Sequence, residues 1–128
     1  MKAFVSDAVA FLHYLLDRLP RKAEEAFSAA ENGEAVIFLP TIAAAELLYL
    51  FERKGWSKEE SEMDRRMGES SYFRYYPFDV EILAGLRKTG AKDIHDKIIV
   101  ATVRHLRAEA LVTKDREIRK LKEVKTLW

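Results

Sequence analysis

Two hydrophobic periods alternate along this chain. KAFVS at 2–6, AVIFLP at 35–40 and ALVT at 110–113 are short, continuous apolar runs of the kind that form fully buried strands. Between them, apolar residues recur at helical spacing in VAFLHYLLDRL, RKAEEAFSAAENG, TIAAAELLYLFER and VEILAGLRK, and in residues 93–107. Pro20 interrupts the first helical pattern and suits the first turn of the second, which Gly33 ends. Gly55 stops the third. Ser57 is expected to cap a charged helix, SKEESEMDRRMGES, with Glu60 as its capping-box partner. YFRYYPF at 72–78 is aromatic and β-prone, with one buried face expected for Tyr72, Phe73, Tyr75 and Tyr76. Asp79 caps the next helix, Gly90 breaks the chain before residue 93, REIRKLK follows Asp115 as a short helix, and VKTLW supplies a last strand.

Short apolar strands alternating with helices predict an α/β fold, a parallel sheet covered on both faces, as a single domain over residues 1–128. Ligands in such folds gather at the carboxyl ends of the strands, which makes the residues at those ends informative.

Composition narrows the function classes. With 48% hydrophobic residues the chain can close a core, which excludes intrinsic disorder. No apolar run approaches the roughly 18 residues of a membrane span, and Asp7 and Asp17 interrupt the N-terminal apolar stretch, so neither a membrane segment nor a secretory signal is expected. The absence of cysteine excludes disulfides, zinc–thiolate sites and thiol nucleophiles, and fits a cytoplasmic protein. Charged residues reach 34% while glutamine is absent and Asn32 is the lone asparagine, a composition resembling that of thermophile proteins. The net charge of +1 divides into −5 over residues 1–82 and +6 over 83–128. A basic region around acids suits a polyanionic substrate, or is simply a solvated surface. No G-x-S-x-G, G-x-x-x-x-G-K-[ST] or G-x-G-x-x-G occurs.

Five acids stand out. Asp7 follows the first strand and Asp115 follows ALVT, and each could be a helix cap or a ligand pointing into the crevice at the strand ends. Asp93 and Asp96 share a face at a helix start; Asp93 reads equally as N-cap or ligand, while Asp96 suits a divalent cation. Glu46 sits on an apolar helix with Ile42, Ala43, Tyr49 and Leu50 as neighbours, a costly setting for a charge without a partner. Several carboxylates brought close could not all remain ionised without a cation. Oxygen donors alone point to Mg²⁺ or Mn²⁺, and such ions promote phosphodiester hydrolysis. Thr113 could hydrogen-bond a neighbouring carboxylate or a bound water. Lys97, Lys114 and Arg116 flank the acids and could hold substrate phosphates or only water. His95 is expected to diverge from the Asp93–Asp96 face, and His13 and His105 to lie at the surface or an interface.

Asp7 after a strand, Glu46 in T-x-x-x-x-E-L, then D-x-x-D-K-I-I-V-A-T and L-V-T-K-D, resemble the PIN-domain ribonucleases, most of all the toxins of VapBC-type toxin–antitoxin pairs. The resemblance implies a three-layer α/β/α sandwich on a mostly parallel five-stranded sheet, with Asp7, Glu46, Asp96 and Asp115 as the catalytic acids and Asp93 as an additional ligand. It implies one or two Mg²⁺ or Mn²⁺ ions, an RNA substrate cut to a 5′-phosphate and a 3′-hydroxyl, a homodimer, and inhibition by a cognate antitoxin. It places Thr113 at the family's hydroxyl position near the last acid. One departure is that Ala8 and Val9 stand where family members often carry a Ser or Thr directly after the first Asp. The departure keeps open a non-catalytic RNA- or protein-binding module. A receiver-like signalling domain fits less well, because SDAV supplies only one acid where a pair is needed.

Overall fold

The structure is a computed structural model describing residues 1–128. Its strands are β1 (Lys2–Ser6), β2 (Ala35–Pro40), β3 (Phe73–Tyr76), β4 (Ala110–Val112) and β5 (Thr126–Leu127). They form one sheet in the order β3-β2-β1-β4-β5, and every pairing is parallel. The helices are α1 (Ala8–Leu15), α2 (Arg21–Glu31), α3 (Thr41–Lys54), α4 (Ser57–Glu69), α5 (Val80–Gly85), α6 (Ile94–Leu106) and α7 (Arg116–Leu121). Together they make the three-layer α/β/α arrangement.

The inner strands are buried on both faces, which is why they read as unbroken apolar runs: Val5, Ile37, Leu39, Ala110, Leu111 and Val112 are fully inaccessible. Edge strand β3 buries Phe73 and exposes Arg74 and Tyr75, as its mixed sequence anticipates. On α2 the buried stripe is Ala23, Ala26, Phe27 and Ala30, so small residues let the helix approach the sheet while Phe27 fills the gap. Tyr14 stacks on Phe27 at 4.4 Å and on Phe73 at 5.5 Å, and Phe11 meets Phe27 edge-on at 5.9 Å.

Four boundaries differ from the sequence pattern. α1 stops at Leu15 because Asp17 turns left-handed (φ 57°) and the Arg18 amide reaches back to the His13 carbonyl at 2.8 Å. Pro20 then precedes α2 as its N-cap instead of occupying its first turn. The capping box does not form: Trp56 is the N-cap of α4, Ser57 lies inside the helix, and Trp56 anchors the turn by packing on the core. α5 gives way after Gly85 to a 3₁₀ turn, Leu86–Lys88.

The sheet order fixes where a site can form. From β1 the chain crosses to β2 on one side, whereas β4 lies on the other, so the crevice beyond the carboxyl ends of β1 and β4 is the topological switch point.

Phe11→Ala should lower unfolding free energy by about 3–5 kcal/mol in urea titration. A loss below about 1 kcal/mol would mean that Phe11 does not pin a close-packed core.

Candidate metal centre at the carboxyl edge of the sheet

The acids arrive at this crevice by a common local device. Asp7 follows β1 and its Oδ1 accepts the Ala10 amide at 2.8 Å, capping α1. Asp115 follows β4 and its Oδ1 accepts the Glu117 and Ile118 amides at 2.8 and 3.2 Å, capping α7. Asp93 caps α6 through Oδ1, with the His95 and Asp96 amides at 2.8 and 3.2 Å. Each cap occupies one carboxylate oxygen and leaves Oδ2 for other work, so capping and ligation are compatible. Asp96, in the first turn of α6, caps nothing and presents its carboxylate to the others. Asp79 caps α5 with the same geometry, at 3.0 Å from the Ile82 amide, but it follows edge strand β3, two strands from β1, and takes no part.

Electrostatics identifies which acids form one unit. Burial pushes Asp96 up to about 6, helped by the charges of Asp115, Asp93, Asp7 and Glu46. Burial raises Asp7 as well; the Thr113 hydroxyl and the Ala10 amide draw it partly back down, and Asp115 pushes it up again. Burial also raises Glu46 against the opposing effect of His95, with Asp7 and Asp93 adding to the rise. Asp96 therefore senses the charges of the other four acids, and Asp7 and Glu46 each sense part of the same group.

The remaining predicted residues fall into place around them. Thr113 is fully buried, and its oxygen accepts the Asp115 amide at 3.0 Å while its hydroxyl serves Asp7. Lys97 spends its ammonium on the Thr89 carbonyl at 2.9 Å. Lys114 and Arg116 are exposed at the rim beside Asp115.

Two expectations need correction. Glu46 is not stranded among apolar groups: its side chain is 42% exposed and its Oε1 lies 3.3 Å from His95 Nδ1. His95, expected to point away, turns toward α3, because the angular step that carries it off the Asp93–Asp96 face aims it at Glu46. No local signal could reveal this, since the contact depends on how α6 packs against α3. His13 lies partly buried, edge-on to Trp128 at 5.3 Å, and His105 Nε2 contacts Glu81 at 3.2 Å, away from the acids.

No group of three or more His, Cys, Asp or Glu side chains is arranged to hold a metal ion directly. The donor set nonetheless suits a hard divalent cation reached partly through water: it is all oxygen, it gathers carboxylates from four helices, and their mutual repulsion is what a cation relieves.

A carboxyl raised in the folded state binds its proton more tightly there than in the unfolded chain. Stability then falls as pH rises from the unfolded value near 3.8 through the folded value of about 6. Asp96→Asn should therefore raise the melting temperature of the cation-free protein at pH 7.5, with the gain shrinking to nothing at pH 4. An equal gain at both pH values would mean that it does not come from the ionised Asp96 carboxylate.

The PIN domain family model matches residues 5–124. No curated protein matches the chain. Among solved structures it resembles a chain of the VapBC2 complex from Rickettsia felis bound to a DNA fragment from their promoter, at TM-score 0.73 and 16% identity, covering 98% of this chain and 97% of that one. It also resembles a chain of a toxin–antitoxin complex from Klebsiella pneumoniae, at 0.65 and 18%, covering 100% and 97%. A third likeness is to a chain of FitAcB from Neisseria gonorrhoeae, at 0.64 and 21%, covering 98% and 96%. At these identities the likeness is one of fold. The family match spans every strand from the end of β1 to β4 and includes all five acids, so the chain belongs to the PIN domain family.

Proposed function

We propose that this protein is a Mg²⁺- or Mn²⁺-dependent endoribonuclease acting in the cytoplasm as the toxin of a toxin–antitoxin pair. The observation that carries the reading is the electrostatic coupling of Asp7, Glu46, Asp93, Asp96 and Asp115 at the switch point of a PIN-domain sheet. One or two divalent cations, when bound, would supply Lewis acidity toward water and charge neutralisation on the scissile phosphodiester. Asp7, Asp96 and Asp115 would hold the cation, with Asp93 adding an oxygen at the rim. Glu46, its rotamer fixed by His95, orients the attacking water or takes a second ion. Thr113 acts through the two acids it touches. Water adds to phosphorus as the bond to the 3′ oxygen breaks, leaving a 3′-hydroxyl and a 5′-phosphate.

Rim residues Lys114 and Arg116, in the half of the chain with a net charge of +6, support a polyanionic strand as substrate. An apolar groove of about 290 Å³ between α1 and α3, walled by Val9, Leu12, Tyr49 and Leu50, ends at Glu46. It supports a protein partner whose apolar segment lies beside the acids, as expected of an antitoxin. The structural neighbours come from toxin–antitoxin complexes, which favours the same partner. Exposed Phe78, Val80 and Leu83 around the start of α5 support pairing of two copies. No helix is long and apolar enough to cross a membrane.

The deciding experiment is cleavage of a fluorophore–quencher RNA panel by partner-free protein in Mn²⁺, Mg²⁺ or EDTA. Cutting should require the cation, and Asp7→Asn should reduce it by about two orders of magnitude or more. Cation binding without cutting of any RNA would favour a non-catalytic binding module instead. For RNA contact, the double variant Lys114→Ala/Arg116→Ala should lower the slope of log affinity against log salt by about 1.4, at roughly 0.7 per single-strand phosphate contact. An unchanged slope would remove both residues from the RNA surface.

A further inference from the structure

A single carboxylate ties together two connections on the rim of the site. Glu123 lies between α7 and β5, and its Oε1 accepts the Gly90 amide at 2.6 Å while its Oε2 accepts the Thr89 hydroxyl at 2.7 Å. Thr89 Oγ1 in turn accepts the Ala91 amide at 3.2 Å, and the Thr89 carbonyl takes the Lys97 ammonium at 2.9 Å. Arg104, on α6, donates to the Lys88 carbonyl at 3.2 Å and stands 3.9 Å from Glu123. Thr89 is buried beneath it, while Glu123 is half-buried and Gly90 and Arg104 are exposed, so this polar staple sits at the surface with its hydroxyl partner tucked inside.

The backbone on both sides is shaped for it. A Cβ on Gly90 would stand 3.0 Å from Glu123 Oε1, tighter than ordinary van der Waals contact, so the carboxylate would have to give by a few tenths of an ångström. Lys122 adopts φ 56° as the C-cap of α7, turning the chain immediately before Glu123. The hydroxyl, amide and cationic partners hold Glu123 below the ordinary carboxylate range, so it is ionised at neutral pH.

Neither connection contains an acid of the site, yet each runs directly into one. Residues 89–91 lead into Asp93 and Asp96, and α7, only six residues long, begins at its cap Asp115 and ends beside Glu123. So short a helix cannot fix its own position by helix propensity and needs tertiary anchoring. We propose that Glu123 is a positioning residue: by clamping the 89–91 loop to the far end of α7, it sets the separation of Asp93 and Asp96 from Asp115. The clamp opposes the repulsion that would drive those carboxylates apart. The inference rests on reading the acids as a cation site, and it assigns Lys97 and Arg104 to the clamp.

The test compares Glu123→Ala and Glu123→Gln by Mn²⁺ titration calorimetry and by amide hydrogen exchange. Glu123→Ala should weaken Mn²⁺ binding by about 10-fold or more, as loss of support for ligating groups does in metal sites. Glu123→Gln keeps an acceptor for the Gly90 amide and should recover most of that affinity. In Glu123→Ala the Gly90, Ala91 and Lys97 amides should exchange faster while the Val5 amide stays protected, so the effect on the site is read in a folded sheet. Should Glu123→Ala lose its fold, Thr89→Val removes the hydroxyl donor to the same carboxylate from the other side and should weaken Mn²⁺ binding likewise. Equal Mn²⁺ affinity in wild type and the clamp-breaking variant would overturn the role of Glu123 alone. Wild-type protein that binds no Mn²⁺ would overturn the cation site, and this role with it, whatever the exchange data read.

Discussion

Carboxylates repel one another, and the site of this protein is built by making backbone amides hold them together. Asp7, Asp93 and Asp115 each accept amides at a helix N-terminus, interactions of about 0.5–2 kcal/mol apiece that also place negative charge at the favourable end of a helix. Asp96 has no such support and carries the strain of the arrangement, its carboxyl pushed up to about 6. A proton relieves this tension, and the cation proposed for the site would do the same. Folding has assembled a group of acids that is less comfortable without a partner than with one.

The parallel sheet makes such an assembly possible. Each inner strand delivers its carboxyl end to the same edge, and β1 and β4 are neighbours although more than a hundred residues separate them in the chain. A hydroxyl can therefore reach Asp7 from Thr113 across the sheet. The same economy has a weak point: β5 contributes only Thr126 and Leu127, and α7 is equally brief. The polar staple around Glu123 lies where regular secondary structure offers the least support.

Charge is distributed to match this architecture. The acids occupy the crevice, Lys114 and Arg116 stand at its rim, and an apolar groove between α1 and α3 runs up to Glu46. Family membership limits the chemistry less than this local arrangement does, because one fold hosts many activities and the side chains at the strand ends decide among them. The structural neighbours share the fold at 16–21% identity, so the residues of this chain carry the functional reading.

The sequence by itself determined the elements and the addresses of the acids. Buried strands announce themselves as apolar runs and helices by their period, and both signals are complete within a few residues. Asp7 and Asp115 were legible because a strand end followed by a helix start is a local event, and D-x-x-D at a helix start is another. That Asp7, Asp93 and Asp115 cap their helices is decided in three dimensions, where one oxygen of each accepts helix amides and the other is left uncommitted to a cap. Tertiary structure alone decided that His95 meets Glu46, that Lys97 is committed to the Thr89 carbonyl, that Trp56 displaces the Ser57 capping box, and that Glu123 reaches Gly90. Backbone preference and hydrophobic period act over one or two helical turns. Contacts between α3 and α6, or between loops 33 residues apart, are set by how whole elements pack, and no short stretch of sequence encodes that distance.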